Sequence, residues 1–255
     1  MQLQFASDLH LEFHENRYYL RDNPLEIAGD ILLLAGDILP LRTMERYGDF
    51  FNFLADNFSH TYWLPGNHEY YDFDIANRSG AFKESILPNV TLLNDQTVTI
   101  GDIRLHFSTL WSAISASKAR TIERSLNDFH LIRFEGKRLS VDEYNRMHND
   151  SLIFLEDALQ NNHSKDKTDI VITHHVPTFR HYPLQYKDSP INQAFATDMD
   201  SFIESYNAKF WIFGHHHAAI DDFAIGNTTL MTNQLGYVHA NENKAFDHGR
   251  TVELK

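Results

Sequence analysis

Ile31-Leu32-Leu33-Leu34-Ala35-Gly36-Asp37 is a run of five apolar residues closed by a glycine and a carboxylate. A run this short and unbroken suits a strand buried on both faces better than a helix, which needs roughly ten residues and a polar side. Gly36 permits a sharp exit or a close backbone approach, and it leaves Asp37 at the strand mouth. The letters Ala28-Gly29-Asp30-Ile31 repeat just upstream, so Asp30 competes for the same role. The two carboxylates stand at opposite ends of the strand, roughly 23 Å apart at about 3.3 Å per residue. Only one can join a site built from strand ends. Asp37 follows its strand and Asp30 precedes it, so Asp37 is the candidate.

The same grammar recurs along the chain. Apolar Leu3–Ala6 is followed by Asp8-Leu9-His10, whose first and third side chains project to one side of an extended segment. Residues 61–64 lead through Pro65 to Gly66-Asn67-His68-Glu69, where Asn67 offers a neutral oxygen and His68 is a ligand or a proton donor. Residues 170–173 lead to His174 and His175; one is a ligand, and the other is a supporting, substrate-facing or exposed residue. Phe210–Phe213 leads to Gly214-His215-His216-His217, where His215 and His217 share a face and His216 points away. Together these ends supply two carboxylates, one amide oxygen and at least four imidazoles. That mixture suits manganese, iron or zinc, holds too few carboxylates for a calcium cage, and is too large for one tetrahedral ion. Two cations sharing a carboxylate fit the donor set better.

Other segments alternate in type. Residues 43–58 place Met44, Tyr47, Phe50, Phe51 and Leu54 at helical spacing, and 141–161 is the longest helix expected, with Ser140 and Glu143 spaced as a capping box. Further strands are expected at 90–93, 97–100, 103–107, 223–225, 229–231 and 252–254, with a hairpin turn at Gly101-Asp102. Runs of direct β pairing interspersed with helices imply an α/β (α+β) chain with two sheets covered by helices, read as one domain over residues 1–255.

Composition narrows the partners. The chain has 255 residues, 22 Lys and Arg against 35 Asp and Glu, and a formal charge of −13. Binding long nucleic acid depends on basic side chains displacing counterions, so an acidic chain disfavours it, and a membrane surface likewise. A small anionic ester is still acceptable where local positive charge lies within about one Debye length, roughly 8 to 10 Å. The absence of cysteine excludes disulfides, thiolate metal sites and a cysteine nucleophile. The start of the chain shows no signal-peptide pattern and the longest apolar run is Ile31–Ala35, so a cytoplasmic protein is expected.

Read in order over residues 8 to 217, Asp8-x-His10, Gly36-Asp37, Gly66-Asn67-His68-Glu69, His174 and Gly214-His215-x-His217 resemble the signature of the calcineurin-like metallophosphoesterases. Thr109-Leu110-Trp111, Asn127-Asp128-Phe129 and the stretch from Thr173 to Pro177 resemble a bacterial or phage branch of that family. The resemblance implies a four-layer sandwich of two mixed β-sheets flanked by helices. It implies two divalent metal ions (manganese, iron or zinc), with Asp8, His10 and His217 on one, Asn67, His174 and His215 on the other, and Asp37 bridging. His68 would face the phosphate and the leaving group. The implied activity is hydrolysis of a small phosphate mono- or diester by a metal-bridging hydroxide; a non-catalytic interaction scaffold of the same fold is the alternative. Some members carry histidine or aspartate three residues after the bridging aspartate, where this chain has Pro40, so a residue that orients His68 is missing there. His175, and after it Arg180 and His181, are candidate substrate contacts, while Tyr70, Tyr71 and Trp111 are either core or an apolar wall.

Overall fold

Continuous apolar runs need cover on both faces, and the fold supplies it by stacking two sheets. The computed structural model describes residues 1–160, 167–218 and 220–254. In chain order its elements begin β1 (Leu3–Ala6), α1 (His14–Asp22), β2 (Ile31–Ala35), α2 (Gly48–Asn57) and β3 (His60–Leu64). Next come β4 (Phe82–Leu87), β5 (Val90–Asn94), β6 (Gln96–Ile100) and β7 (Ile103–Ser108). Helices α3 (Ala116–Ser125) and α4 (Asp128–Leu131) precede a small hairpin, β8 (Arg133–Phe134) with β9 (Lys137–Arg138), and then α5 (Val141–Gln160). The last part holds β10 (Thr168–Thr173), α6 (Asp200–Tyr206) and β11 (Phe210–Phe213). It ends with β12 (Phe223–Ile225), β13 (Thr228–Thr232) and β14 (Thr251–Val252).

One sheet runs β14-β1-β2-β3-β5-β4 and the other β12-β13-β11-β10-β7-β6. In the first, β1, β2, β3 and β5 are mutually parallel and β14 and β4 are antiparallel edges. The second repeats the plan with β13, β11, β10 and β7 between antiparallel β12 and β6. Alternate residues of each inner strand go to different cores, as the two-residue period dictates. Leu33, Phe5 and Leu64 meet Leu105, Phe107, Ile170, Ile172 and Ile212 between the sheets. Leu32, Leu34 and Trp63 face outward to Phe51 and Leu54 of α2. On the far side Val171, Trp211 and Leu230 pack on Leu155 of α5 and Ile203 of α6. The result is the expected four-layer sandwich of two mixed sheets flanked by helices. No helix among the described residues is long and apolar enough to cross a membrane.

The expected helix over 43–58 is two elements. A 3₁₀ stretch, Leu41–Tyr47, ends directly before α2, and its last residue, Tyr47, at φ −109°, ψ 31°, breaks the helical path between them. The helix expected over 141–161 forms as α5; residue 161 lies outside the described residues. One half of the expected capping box forms, with the Glu143 N–H donating to Ser140 Oγ at 3.3 Å, while the Glu143 carboxylate accepts from Arg146 Nε at 2.8 Å. Gly101 turns the β6–β7 hairpin at φ +56°, where a side chain would be strained.

Both faces of β2 are buried, so truncation on either face should cost alike. Leu33→Ala and Leu34→Ala are each expected to lose about 2 to 5 kcal/mol of stability, read as a lower urea midpoint with an unchanged slope. A cost below about 1 kcal/mol for either would mean that face lacks its cover.

Candidate metal centre

The carboxyl ends of β1, β2 and β3 in one sheet and of β10 and β11 in the other open onto a single buried cluster. The chain leaves these strands through left-handed residues that are not glycine: Asp8 (φ 55°), His10 (46°), Asp37 (56°), His215 (81°) and His217 (49°). Such backbone persists only where its surroundings enforce it, and it gathers at functional sites. Here the loops interlock: Asp8 N–H donates to Gly36 O at 2.9 Å, His10 N–H to Asp37 O at 2.9 Å, and Gly214 N–H to His174 O at 3.0 Å.

The seven residues picked out from the sequence as ligands fall in two groups with Asp37 common to both. Ligating atoms of Asp8, His10, Asp37 and His217 lie within 4.8 Å of one another, as do those of Asp37, His174 and His215. His10 Nε2 is 2.9 Å from His217 Nε2 and 3.7 Å from Asp37 Oδ2, and His217 Nε2 is 3.3 Å from Asp8 Oδ1. In the second group His174 Nε2 is 3.1 Å from His215 Nδ1, 3.2 Å from Asn67 Oδ1 and 3.4 Å from Asp37 Oδ1. Asp30, the rival of Asp37, lies at the far end of β2, where it takes the N–H of Gln2 at 2.8 Å.

The far nitrogens of these rings reveal what the near ones offer. His10 Nδ1 faces Glu12 Oε1 at 3.0 Å, His217 Nδ1 faces Glu242 Oε2 at 2.8 Å, and His174 Nδ1 faces Ala35 O at 3.0 Å. Each acceptor keeps a proton on Nδ1 and leaves a lone pair on Nε2 in the neutral ring. Lone pairs facing each other about 3 Å apart repel unless a proton or a cation lies between them. His215 adds a buried Nε2 with no hydrogen-bond partner among the described residues. Asn67 is oriented in the same manner: its Nδ2 donates to Asp128 Oδ1 at 2.9 Å, which turns Oδ1 toward His174. The donor chemistry therefore fits two divalent cations.

Glu69 ties the frame together without joining the cluster. Its carboxylate accepts Gly66 N–H at 2.7 Å, Asp37 N–H at 2.9 Å, Ile38 N–H at 2.7 Å and the Trp63 indole N–H at 3.0 Å. Burial, and then Asp37 beside it, pushes its carboxyl up to about 7. Gly36 and Gly66 are required by close approach. A Cβ on Gly36 would overlap His174, and one on Gly66 would overlap both Asp37 Oδ1 and His174.

Charge in the cluster is set by competition between burial and pairing. Burial raises the Asp37 carboxyl, but interaction with the imidazoles of His174, His68 and His10 holds it well below the usual carboxylate range. Burial likewise opposes ionisation of Asp8, and His217 brings it down. Burial lowers the imidazoles in turn, yet Asp37 lifts His174 to about 9, and Asp8 with Glu242 lifts His217 to about 10. His215 is held well below its ordinary value by burial and then by His175 and His174. Protons on His174 and His217 thus compete with cations for the same lone pairs.

His68 lies beside the cluster at the wall of the cleft that opens over it. Its Nδ1 is 2.8 Å from Glu12 Oε1 and its Nε2 is 3.4 Å from the Tyr237 hydroxyl, while Tyr71 packs on its face at 4.1 Å. A carboxylate thus faces His68 even though position 40 is proline, and it comes from Glu12. The alternation that linked Asp8 to His10 extends to Glu12, so this residue was within reach of sequence reasoning. Asp128 stood in the sequence only as part of Asn127-Asp128-Phe129, with no role attached, and Glu242 and Tyr237 had no local signal.

His175 does not reach the cleft. It is fully buried, with Nε2 2.9 Å from the Tyr144 hydroxyl and Nδ1 3.2 Å from Thr109 O, behind His174 and His215. Arg180 pairs with Asp200 and His181 lies against Phe223 at 4.5 Å, both away from the lining. Tyr70 and Trp111 belong to the core, whereas Tyr71 lines the cleft. His216, expected to point away, turns Nδ1 toward Gln234 but also lines the cleft.

A family model described as calcineurin-like phosphoesterase matches residues 1–219. Uncharacterized protein L509 of Acanthamoeba polyphaga mimivirus is 30% identical over 270 residues, covering 94% of this chain and 93% of the viral one. Among solved structures, the phosphopantetheinyl hydrolase PptH from Mycobacterium tuberculosis superposes with a TM-score of 0.71 at 16% identity, covering 98% of this chain and 95% of that chain. A dimetal phosphatase from Danio rerio superposes with a TM-score of 0.50 at 15% identity, covering 92% and 87% of the two chains. At these identities the solved structures speak for the fold.

Two outcomes are expected from the cluster's packing and charge. Gly66→Ala is expected to abolish tight metal binding, measured by elemental analysis after desalting, because its Cβ displaces Asp37 and His174. Because His174 and His217 keep their protons up to about 9 and 10, metal uptake at neutral pH must expel them. Apparent affinity should then rise roughly ten- to a hundredfold per pH unit between about 6 and 8, with protons released on titration. Affinity that is flat in pH would rule out this competition.

Proposed function

The chain belongs to the calcineurin-like phosphoesterase family, and on that premise we propose that it hydrolyses a small phosphate ester with the help of two divalent cations. Asp8, His10 and His217 would hold one ion, Asn67, His174 and His215 the other, with Asp37 shared. The observation that carries this reading is the position of Asp37, 3.7 Å from His10 Nε2 through one oxygen and 3.4 Å from His174 Nε2 through the other. Mixed nitrogen and oxygen donors favour manganese, iron or zinc. Bound there, such a pair would polarise the phosphoryl group and activate water for in-line attack near neutral pH.

The chain's own residues do the rest. Burial lowers the His68 imidazole, but Asp37 and Glu12 outweigh it and raise the ring above its ordinary value, which favours its protonated form. With Nδ1–H fixed on Glu12, the proton on Nε2 is the one available to the departing oxygen; its transfer leaves a neutral ring and a free alcohol. Asp128 keeps the Asn67 oxygen turned inward, and Glu242 does the same for His217 Nε2. Pairing of β1 with β14, from opposite ends of the chain, supports residues 1–255 acting as one catalytic domain.

The test is reconstitution with manganese, iron or zinc followed by assay on mono- and diesters; no turnover with any of them would end the proposal. Within it, His68→Ala should keep its metal and lose about 10² to 10⁴ in rate on an alkyl phosphate. The loss should be much smaller on p-nitrophenyl phosphate, whose leaving group departs without a proton. Glu12→Gln should show the same substrate pattern with a smaller loss. Equal losses on both esters would exclude proton donation by His68.

A further inference from the structure

Two surface clefts meet beside α1, and neither is lined by a residue of the donor cluster. The first, ≈ 630 Å³, is formed by Arg17 of α1 and by Arg42, Thr43 and Arg46 of the 3₁₀ stretch before α2, with Glu12 and Asp72 at its edge. The second, ≈ 420 Å³, lies between α1 and α2, where Leu20, Pro24, Phe50 and Phe53 stand over buried Leu11 and Leu25. Arg17, Arg46 and Tyr47 line both, so they mark the junction. Both volumes are those of small-molecule sites.

Charge and apolar surface are divided between the two. In a chain of formal charge −13, the first cleft sets three arginines against two carboxylates, and both carboxylates are engaged. Glu12 faces His10 and His68, and Asp72 is 3.4 Å from Arg42. Arg17 Nη1 donates to the carbonyls of Leu11 and Glu12 at 2.7 and 3.0 Å, which steadies the guanidinium without neutralising it. Neither Arg17 nor Arg46 has a carboxylate within ion-pairing distance among the described residues. The second cleft adds Asp49 and Arg21, the latter paired with Asp22 at 2.8 Å. Its Leu20, Phe50 and Phe53 are only partly buried, so apolar surface remains open to solvent beside the two unpaired guanidinium groups.

We propose that the joined clefts bind one small anionic amphiphile, an oxyanion head on an alkyl or aryl chain, apart from the metal centre. The head meets Arg42, Arg46 and Arg17, since the planar guanidinium fork matches an oxyanion in shape and charge. The chain covers Leu20, Phe50 and Phe53 and removes their apolar surface from water. A purely polar anion would leave that surface open, and a neutral apolar molecule would leave the guanidinium groups unmatched. The ligand is a free monomer, because a net charge of −13 opposes approach to an anionic bilayer. Absence of ester hydrolysis would not touch this site, which contains no donor residue.

The experiment is calorimetry on manganese-loaded protein with octyl sulfate, butyl sulfate and octanol, each below the concentration at which it aggregates. A sulfate monoester is weakly basic and competes poorly for a divalent cation, which keeps the probe off the donor cluster. One octyl sulfate per chain is expected, at least tenfold tighter than butyl sulfate or octanol, since each buried methylene is worth about two- to fourfold. Its affinity should be the same with and without manganese. Arg46→Gln should weaken octyl sulfate at least fivefold, whereas Arg138→Gln, in the β8–β9 hairpin, should leave it unchanged. Leu20→Gln should weaken octyl sulfate at least threefold and leave butyl sulfate as it was. Affinity that requires manganese would assign the probe to the donor cluster and overturn the proposal. Equal effects of the two arginine variants, an unaltered octyl sulfate affinity in Leu20→Gln, octanol binding as tight as octyl sulfate, or several ligands per chain would also overturn it. Sedimentation with phosphatidylglycerol–phosphatidylcholine vesicles, without binding of monomeric octyl sulfate, would make this face a membrane contact instead.

Discussion

A carboxylate outside the donor cluster holds the frame on which the others depend. Glu69 gathers backbone N–H groups from the loop after β2 and from the loop after β3, and anchors both to the Trp63 indole. Without it those donors would be buried and unpaired, each at a cost of about 1 to 3 kcal/mol. The geometry of Asp37 derives from this clamp. Its backbone is fixed by Glu69 and its Oδ1 takes the His68 N–H at 2.9 Å, so the shared carboxylate has little freedom to rotate away.

Around that frame the molecule accumulates local cost. Left-handed aspartates and histidines, buried carboxylates and like-charged imidazoles are each unfavourable by themselves. They persist because two sheets of fully buried strands end in one place, and because interlocked backbone bonds such as Asp8 N–H to Gly36 O leave the loops few alternatives. Stability resides in the strands and strain at their ends. A function that needs cations as counter-charges is consistent with this division, since the cluster is most strained when nothing positive lies between its donors.

Much of this was legible in the sequence, and the reason is physical. Strands covered on both faces must be apolar throughout, so Ile31–Ala35 and Phe210–Phe213 stand out, and the glycine and polar ligands at their ends stand out by contrast. Elements with little to bury left no such trace. Helix α1 buries only Asn16, α3 buries only Ile122, and β4 is an edge strand whose polar Lys83 and Ser85 are exposed. The supporting residues were harder still, because Asp128 and Glu242 bond to Asn67 and His217, far away in the chain. His175 misled for the opposite reason: adjacency to His174 in sequence says nothing of which side of β10's end each ring takes, and its ring went inward to Tyr144. The broken helix at 41–57 shows a similar limit, since spacing of apolar residues does not distinguish a 3₁₀ turn followed by a helix from one helix.

Glu12 shows how tightly the supporting layer couples separate tasks. One oxygen, Oε1, lies 3.0 Å from His10 Nδ1 and 2.8 Å from His68 Nδ1, and the two rings stand edge to face at 4.5 Å. The residue that sets the direction of the His10 Nε2 lone pair therefore also orients the His68 ring. Burial pushes the Glu12 carboxyl up, but both imidazoles overcome this and bring it to about 2, so it stays an acceptor for both across the neutral range. Any shift of His10 must pull on the same oxygen that holds His68. The orientations of His10 and His68 are thus parts of one hydrogen-bonded unit centred on the Glu12 carboxylate.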